Sequence, residues 1–322
     1  MTDKTLVKDM KDKDSVESLF LVKEKNMGVG KNGRPFLTAL LGDASGQIDS
    51  RAWDNVENLS REFEVGDVVK VKGQVQLFQN RRQFVIHRLE KVDPTTVNFE
   101  DFVPKGARDA EHLFAELLTI VRTMKNPSLR QLVMDSLEDP EIRPLVLKAP
   151  AAKSIHHAWI GGLLEHILSI TKTMEFFAAH YPFLNRDLLI FGAIFHDIGK
   201  VWELSWEHGF SYTNRGRLIG HMEMACELVD RKSARILGFD AELRDICKHI
   251  ILSHHGRLEY GSPKRPKFLE ALLVAMVDDL DSKMATVKTL IDNERGGEQW
   301  SRYSELFDRY FLLDDLKEKF ES

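Results

Sequence analysis

The order of apolar and polar residues divides the chain into a β-rich first part and an α-helical remainder. In the first part, short segments of alternating character are separated by turn residues such as glycine and asparagine. The segment at residues 67–78 alternates most clearly, with Val71 on one face and Lys70 and Lys72 on the other. A period of two indicates strands that bury one face. Strands are predicted in this way at residues 18–25, 35–41, 47–53, 67–78 and 83–91.

The five predicted strands suggest a particular small barrel. A helical pattern at residues 54–63 lies between the third and the fourth strand. Five strands with a helix in this place are typical of the OB-fold, a Greek-key barrel. We therefore expect a multidomain chain with an all-β OB-fold at residues 15–95, preceded by a charged tail at residues 1–14.

The remainder of the chain has the periodicity of helices. Residues 96–150 are interpreted as a helical connector that packs onto the last domain, and residues 151–322 as an all-α domain. Asn185 and Asp240 are suited to capping helix N-termini, and Gly256 to ending a helix. Helices of the last domain are predicted at residues 186–196, 218–237, 241–255 and 266–290.

Composition excludes several classes of protein. The longest apolar runs are too short to span a bilayer, and the mixed Lys and Asp residues at the N-terminus do not resemble a signal peptide. Cys226 and Cys247 cannot form a disulfide framework and indicate a reducing compartment. The net charge of −5 excludes a globally basic coat for nucleic acid but allows a local basic groove. We therefore expect a cytoplasmic protein with no membrane association.

Histidine is concentrated in the helical part of the chain. Ten of the 12 histidines lie between His156 and His255. Histidine is the commonest metal ligand and the usual acid or base near neutral pH, so this density points to chemistry. Five separate stretches supply candidate ligands, which are His166, His196-Asp197, His221, His254-His255 and Asp278.

Each candidate also has a simpler interpretation when it is considered alone. Asp278 lies in an apolar helical run, where a carboxylate is costly to bury unless it is paired or metal-bound, but the run could end at solvent there. Asp279 is an alternative one position along. His254 and His255 could interact with the dipole of a helix C-terminus. Imidazoles and carboxylates from separate helices, however, are what a metal site inside a helical bundle requires, so the joint occurrence favours a metal centre.

The order His, His-Asp, His, His-His, Asp resembles that of the HD-domain metal-dependent phosphohydrolases, and residues 196–200 read HDIGK. Stretches at residues 154–166, 253–256 and 260–264 are similar to the YhaM-type 3′→5′ exoribonucleases, which also carry an N-terminal OB-fold. The resemblance covers most of residues 15–290. It implies hydrolysis of single-stranded RNA from the 3′ end to nucleoside 5′-monophosphates, with single-stranded DNA as a further candidate substrate.

The resemblance also implies two metal positions. The first is formed by His166, His196, Asp197 and Asp278. The second is completed by His221, His254 and His255. Asp197 is then the natural bridge between two ions, and Lys200 lies beside them, where it can bind the scissile phosphate. No role follows for His156, His157 or Asp281.

The ligand types narrow the choice of metal. Mixed imidazole and carboxylate ligands suit Mn²⁺, Fe²⁺ or Zn²⁺ better than Mg²⁺. The ligand set contains no thiolate, which argues against a structural zinc knuckle. We expect two divalent ions per chain, with manganese first and iron or zinc as alternatives. Two such ions would hold a hydroxide for in-line attack on a phosphodiester.

The barrel is the expected RNA-binding domain, because OB-folds bind single strands through a positive groove and stacking aromatic rings. Residues 15–92 contain 12 basic and 10 acidic residues, so any positive surface is local. The candidate RNA contacts are Arg51, Trp53, Lys70, Lys72, Arg81 and Arg82. Phe36, Phe78 and Phe84 are further candidate platforms, with the alternative that such aromatic residues form the barrel core.

Two other functions are compatible with these patterns. One is an HD-domain nucleotidase or cyclic-nucleotide phosphodiesterase with the barrel as a regulatory module. The residues that follow His255 lack the Gly-Tyr-Pro signature of the cyclic-dinucleotide subgroup. The other is a nucleic-acid-binding protein with an inactive HD domain, against which the intact ligand set argues. The oligomeric state stays open, and a homo-oligomer is one of the options.

Overall fold

The computed structural model describes residues 5–30, 33–78, 81–103, 108–152, 159–206, 210–294 and 299–321. These residues fall into two compact units. One unit contains the described residues up to 103 together with those from 287 onward, and the other contains residues 108–206 and 210–286. The predicted division into a β-rich part and a helical part is therefore present, and the last residues of the chain join the first unit.

Five strands form a closed barrel in the first unit. They are β1 (Ser15–Val29), β2 (Pro35–Asp43), β3 (Gly46–Ala52), β4 (Val68–Phe78) and β5 (Arg81–Lys91), with α1 (Val56–Glu62) between β3 and β4. The strand order is β1-β2-β3-β5-β4, in which β3 and β5 run parallel and the other neighbours antiparallel. The predicted OB-fold is confirmed, and β1, β2 and β5 are longer than the sequence pattern indicated, above all β1.

The alternation in β4 places its side chains as predicted. Val71 is fully buried between Lys70 and Lys72, which are both exposed. Gly73 marks a close approach of two strands, because a Cβ atom there would lie 2.1 Å from the carbonyl oxygen of Val85. The valine face thus builds the barrel core, and the lysine face lies in solvent.

The structure corrects the charged tail predicted at the N-terminus, because residues 5–14 pack on the barrel. Val7 and Met10 are only 2% and 1% exposed and belong to the barrel core. The main-chain N–H of Val7 donates to the Asp43 carboxylate at 2.8 Å, and Arg82 donates to the carbonyls of Val7 and Met10. Two apolar residues among many charges form too short a pattern to detect, although their burial stabilises the segment.

Helices dominate the second unit. They are α2 (Ala110–Arg122), α3 (Pro127–Leu137), α4 (Arg143–Lys148), α5 (Gly162–His180), α6 (Arg186–Phe195), α7 (Lys200–Glu203), α8 (Asn214–Leu218), α9 (His221–Ser233), α10 (Ala241–Ser253) and α11 (Leu269–Glu294), whose residues from 287 onward are assigned to the first unit. Two short strands, β6 (Leu204–Ser205) and β7 (Ser211–Tyr212), pair within this mainly helical unit.

One hydrophobic core joins these helices. The predicted connector contributes Leu117 of α2, Leu132 of α3 and Val146 of α4, and none of these side chains has exposed surface. Ile167 of α5 and Ile194 of α6 are buried in the same core. The connector is therefore part of the helical unit. Among the described residues, no helix has both the length and the apolar character needed to cross a bilayer.

Several helix ends follow from local sequence. The side chains of Asn185 and Asp240 accept hydrogen bonds from main-chain N–H groups at the starts of α6 and α10, as predicted. Gly256 follows α10 with a φ of 77°. The helix predicted at residues 218–237 is shorter, because Gly220 has a φ of 81° and α9 begins only after it.

The C-terminal residues form a small hairpin followed by α12 (Leu316–Glu321). In the hairpin, Trp300 pairs with Leu312 and Ser304 pairs with Arg309. This arrangement differs from the predicted all-α domain at residues 151–322, because the residues from 287 onward cluster with the barrel.

Candidate metal centre

Two histidines and two aspartates form a first ligand group between three helices. His166 lies in α5, His196 and Asp197 directly follow α6, and Asp278 lies in α11. Their ligand atoms lie within 4.8 Å of one another. His166 Nε2 is 3.2 Å from His196 Nε2, and it is 3.5 Å from Asp197 Oδ2 and 3.3 Å from Asp278 Oδ1. The structure thus brings together the four residues predicted for the first metal position.

Three histidines form a second ligand group beside the first. His221 begins α9, and His254 and His255 directly follow α10. The second oxygen of Asp197 faces this group, because Asp197 Oδ1 lies 3.6 Å from His221 Nε2 and 3.7 Å from His254 Nε2. Asp197 therefore presents one oxygen to each group, which is the arrangement that a bridging carboxylate requires.

Two glycines allow the helices to approach closely around the ligands. A Cβ atom at Gly199 would lie 2.0 Å from the carbonyl oxygen of His221, so only glycine lets the turn after Asp197 pack on the start of α9. A Cβ atom at Gly192 would lie 2.5 Å from a methyl carbon of Val274. The close packing of α6 on α11 and of the turn on α9 fixes the distances between the ligands.

Main-chain carbonyls orient three of the histidines through Nδ1. The nearest carbonyl oxygen lies 3.0 Å from Nδ1 of His196, 2.7 Å from Nδ1 of His254 and 3.0 Å from Nδ1 of His255. A carbonyl oxygen only accepts, so Nδ1 must carry the proton in each of these hydrogen bonds. In a neutral ring, Nε2 then has a free lone pair that points into the site, as a metal ligand needs.

Carboxylates orient the other two histidines. His166 Nδ1 lies 2.8 Å from Asp281 Oδ2, and Ser169 donates to the other oxygen of Asp281 at 2.5 Å. His221 Nδ1 lies 3.0 Å from Glu203 Oε1. Hydrogen bonds of this kind fix the ring orientation and raise the basicity of a ligating imidazole. The sequence left Asp281 without a role and missed Glu203, for which the only signal was a carboxylate within the run Val-Trp-Glu-Leu.

Replacement of Asp281 by Asn is expected to weaken the binding of a divalent metal at the first ligand group by ~10- to 100-fold, because an amide orients His166 less strongly than a carboxylate does. A binding titration of the protein with Mn²⁺ measures the effect. Ser169→Ala, which removes only the neutral partner of Asp281, is the matched control and should have a smaller effect. Unchanged Mn²⁺ dependence in Asp281→Asn would contradict the orienting role.

The electrostatics of the site favour a cation between the two groups. Burial lowers the pKa of His196, but the carboxylates of Asp197 and Asp278 outweigh burial and raise it to about 9. Burial and the nearby His196 hold the pKa of His254 well below its usual range, so this ring is neutral. The carboxylates therefore favour positive charge next to the Nε2 atoms of the histidines. A divalent ion competes with protons for these Nε2 atoms.

Three buried polar atoms of the site find no hydrogen-bond partner among the described residues. They are Asp197 Oδ1, His221 Nε2 and His254 Nε2. An unsatisfied buried polar group costs ~1–3 kcal/mol, so three that face one another require an explanation. Carboxylate oxygen and imidazole nitrogen are ligands for Mn²⁺, Fe²⁺ and Zn²⁺, so the residues present fit a divalent metal.

The Lys200 side chain contacts Asp197, a residue of the first ligand group, and is largely buried. Its Nζ atom donates to Asp197 Oδ2 at 2.5 Å, and its side chain is 14% exposed. Burial lowers the pKa of Lys200, but the carboxylates of Asp197 and Asp278 outweigh burial and raise it, so the group stays charged. A fixed positive charge therefore lies beside the first ligand group.

Asp279 and the described histidines His180 and His249 are not members of the ligand groups. Asp279 is exposed and pairs with Lys283 at 2.6 Å, so the alternative to Asp278 is wrong. His249 accepts a hydrogen bond from the main-chain N–H of Lys267, and His180 stacks on an exposed phenylalanine. His156, His157 and His208 lie outside the described residues.

The barrel carries a separate groove of about 430 Å³. Arg51, Arg81 and Arg82 line it, as does Phe78. The Arg51 guanidinium lies 5.8 Å from the ring centre of Trp53 and 5.6 Å from that of Phe78. These two rings are 48% and 46% exposed, so they can stack with a ligand. The structure thus places four of the six predicted RNA contacts in or beside one groove.

The other barrel candidates take different positions. Lys70 and Lys72 are not among the described residues that line the groove. Both lie on the solvent face of β4, where they pair with the Glu17 carboxylate. Phe84 has no exposed surface, so it belongs to the barrel core and cannot be a platform. Arg82 lines the groove but also donates to main-chain carbonyls of the N-terminal segment, which gives it a structural role.

Both units match known domain families. Residues 163–283 match the HD domain, and residues 21–92 match the OB-fold nucleic acid binding domain. The first match contains all seven residues of the two ligand groups. The second match begins within β1 and ends just after β5.

Curated relatives match the chain over nearly its whole length. The 3′-5′ exoribonuclease YhaM of Bacillus subtilis is 34% identical over 300 residues, which are 92% of this chain and 94% of the relative. The 3′-5′ exoribonuclease YhaM of Bacillus velezensis matches with the same identity and coverage. Because both chains are covered almost completely, the match includes the barrel, the helical domain and their order.

Proposed function

This chain belongs to the family of the YhaM 3′-5′ exoribonucleases, and from that premise we propose how its ligand groups and its barrel act on RNA. The chain is a metal-dependent 3′-5′ exoribonuclease. We propose that it releases nucleoside 5′-monophosphates from single-stranded RNA, with single-stranded DNA as a second substrate. The observation that carries the proposal is Asp197, whose two oxygens face two separate ligand groups.

We propose two divalent ions per chain, with manganese first and iron or zinc as alternatives. One ion would be held by His166, His196, Asp197 and Asp278, and the other by His221, His254, His255 and Asp197. When bound, the ions supply an activated water for attack and stabilise negative charge on the phosphate oxygens.

The chain's own residues position these parts. The Asp197 carboxylate shares its charge between the two groups, and buried hydrogen bonds keep the imidazole rings in place. Lys200 is proposed to contact a non-bridging oxygen of the scissile phosphate, exchanging its hydrogen bond to Asp197 for one to the substrate. A lysine suits this role because its compact charge binds phosphate without fixed geometry.

The product follows from which bond breaks. Water adds to the phosphorus atom of the last phosphodiester, and the bond between phosphorus and the 3′ oxygen of the penultimate nucleotide breaks. A proton is transferred to that leaving oxygen. The terminal nucleotide leaves with its phosphate on the 5′ oxygen, and the shortened strand regains a 3′ hydroxyl for the next cycle.

The barrel is proposed to hold the single strand. Arg51 and Arg81 offer charge to the phosphates, and Trp53 and Phe78 offer half-exposed rings to the bases. A tethered binding domain raises the local concentration of substrate at the catalytic domain. The reducing cytoplasm predicted from Cys226 and Cys247 stays part of the proposal, and a homo-oligomer stays a prediction.

A labelled oligoribonucleotide tests the function. The purified protein with Mn²⁺ is expected to shorten a 5′-labelled single-stranded RNA one nucleotide at a time and to release 5′-monophosphates. A duplex with a blunt 3′ end is the matched control and should resist. Turnover of free nucleotides alone would support a nucleotidase instead, and binding without any cleavage would support an inactive HD domain.

A further inference from the structure

An arginine from the C-terminal hairpin lines the barrel groove. Arg302 lies in this groove together with Arg51, Arg81 and Arg82. Its Nη2 atom donates to the Asp49 carboxylate of β3 at 2.9 Å, and its side chain is 55% exposed. A residue from the end of the chain therefore stands on the surface that the barrel offers to RNA.

The backbone that carries Arg302 is held without the help of the arginine side chain. The main-chain N–H of Ser301 donates to the carbonyl of Phe311 at 2.8 Å, and that of Leu313 donates to the carbonyl of Gln299 at 2.9 Å. Ser301 and Leu313 are each only 5% exposed. The hairpin thus presents the guanidinium from a fixed position, and a change of this side chain leaves the hairpin bonds intact.

The charge of the groove depends on this arginine. Among the described lining residues, four arginines face two carboxylates, those of Glu24 and Asp49. Among the described residues, Arg302 is the ion-pair partner of Asp49, so its loss would leave an uncompensated carboxylate on the surface that is proposed to accept phosphates. A guanidinium has five N–H donors, so its bond to Asp49 leaves other donors free to bind a phosphate. Asp49 therefore orients the Arg302 guanidinium and leaves some of its N–H donors available for a phosphate.

We infer that Arg302 is an RNA-binding residue that contacts a phosphate of the single strand in the barrel groove, with Asp49 as its positioning residue. The inference rests on the proposed function and adds the C-terminal hairpin to the RNA-binding surface. Arginine contacts to phosphate are charge-assisted and among the stronger hydrogen bonds of such surfaces. Long substrates should depend on Arg302, whereas a dinucleotide too short to occupy the groove should not.

The test compares Arg302→Ala and Arg302→Gln with the wild-type enzyme in the presence of Mn²⁺. The KM for a single-stranded RNA of roughly 20 nucleotides should rise about tenfold, which is the effect of losing one charge-assisted bond, while kcat stays unchanged. The slope of log KM against log salt should fall by about 0.7, as expected for one lost phosphate contact to a single strand. Hydrolysis of a dinucleotide should not change.

Two variants separate a phosphate contact from other effects. Arg309→Ala removes an exposed arginine of the same hairpin, whose Nε donates to a main-chain carbonyl, and should match the wild type. The double variant Asp49→Asn with Arg302→Ala should keep the raised KM. A KM restored by Asp49→Asn would show that Arg302 only neutralises Asp49, and equal losses in Arg309→Ala would show a general charge effect. Either result, or a normal KM in both Arg302 variants, overturns the inference. An inactive wild-type enzyme would instead refute the proposed function.

Discussion

Asp197→Asn is expected to reduce RNA hydrolysis by ~10³-fold or more, which corresponds to a barrier higher by on the order of 4 kcal/mol. Asp197 Oδ2 lies 3.5 Å from His166 Nε2, and Asp197 Oδ1 lies 3.7 Å from His254 Nε2, so one side chain serves both ligand groups. An amide keeps the shape but loses the charge and one of the two acceptor oxygens. Single-turnover hydrolysis at saturating Mn²⁺ measures the loss.

The same variant should retain its affinity for long single-stranded RNA, because the groove residues lie on the barrel and not at the ligand groups. Asp279→Asn is the matched control, since Asp279 is an exposed aspartate of α11 that forms a surface ion pair with Lys283. Loss of an exposed pair of this kind changes stability by only ~0.3–0.5 kcal/mol and should leave activity normal. Hydrolysis above roughly a tenth of the wild-type rate in Asp197→Asn would contradict a bridging role.

The sequence could identify the residues of the two ligand groups because their chemical types and order are visible without a structure. Imidazole and carboxylate residues stood out at the ends of helices and inside an apolar run, and the fold brings them within 4.8 Å in each group. The orienting carboxylates were harder to find. Glu203 reaches His221 across 18 positions, and Asp281 reaches His166 across 115 positions. Their roles depend on tertiary contacts, which no local pattern records.

Local signals also explain which helices were predicted. α6 and α10 begin at side chains that accept main-chain hydrogen bonds, and these capping residues are visible in the sequence. α5 begins after Gly161 without such a capping bond, and it was not predicted although it carries His166. A helix that starts at two glycines is stabilised by its packing in the core, which a propensity pattern does not show.

The barrel shows the same limit at longer range. Arg51 lies in β3 and Trp53 directly follows that strand, two positions along, so the sequence could place them on one face. The pairing of Arg302 with Asp49 spans 253 positions and depends on the position of the C-terminal hairpin. Conversely, Lys70 and Lys72 share a face as predicted, but that face binds Glu17 and lies outside the groove. Strand periodicity identifies a face, and only the closed barrel determines what that face meets.

His254→Ala is expected to lower the metal content from two ions per chain to one and to reduce hydrolysis by ~10²-fold or more. His254 is 1% exposed, and its Nδ1 donates to a main-chain carbonyl. Its Nε2 lacks a hydrogen-bond partner among the described residues, so the lone pair of Nε2 faces Asp197. The change leaves the first ligand group intact. Elemental analysis after equilibration with Mn²⁺ and desalting counts the ions.

The control for this variant comes from α10, the helix that directly precedes His254. His249→Ala removes a partly buried histidine of α10 whose Nε2 accepts a main-chain hydrogen bond, so it tests the effect of losing an imidazole without losing a ligand. It should retain two ions and normal hydrolysis.

The ion counts have distinct meanings. If the wild-type enzyme binds only one ion, the histidines of the second ligand group do not bind metal and instead contact phosphate or transfer protons. Two ions in His254→Ala would mean that His221, His255 and Asp197 suffice for the second position. The ion count of the wild type therefore separates a site with two metals from a site with one, and the count in His254→Ala shows whether the second position depends on His254.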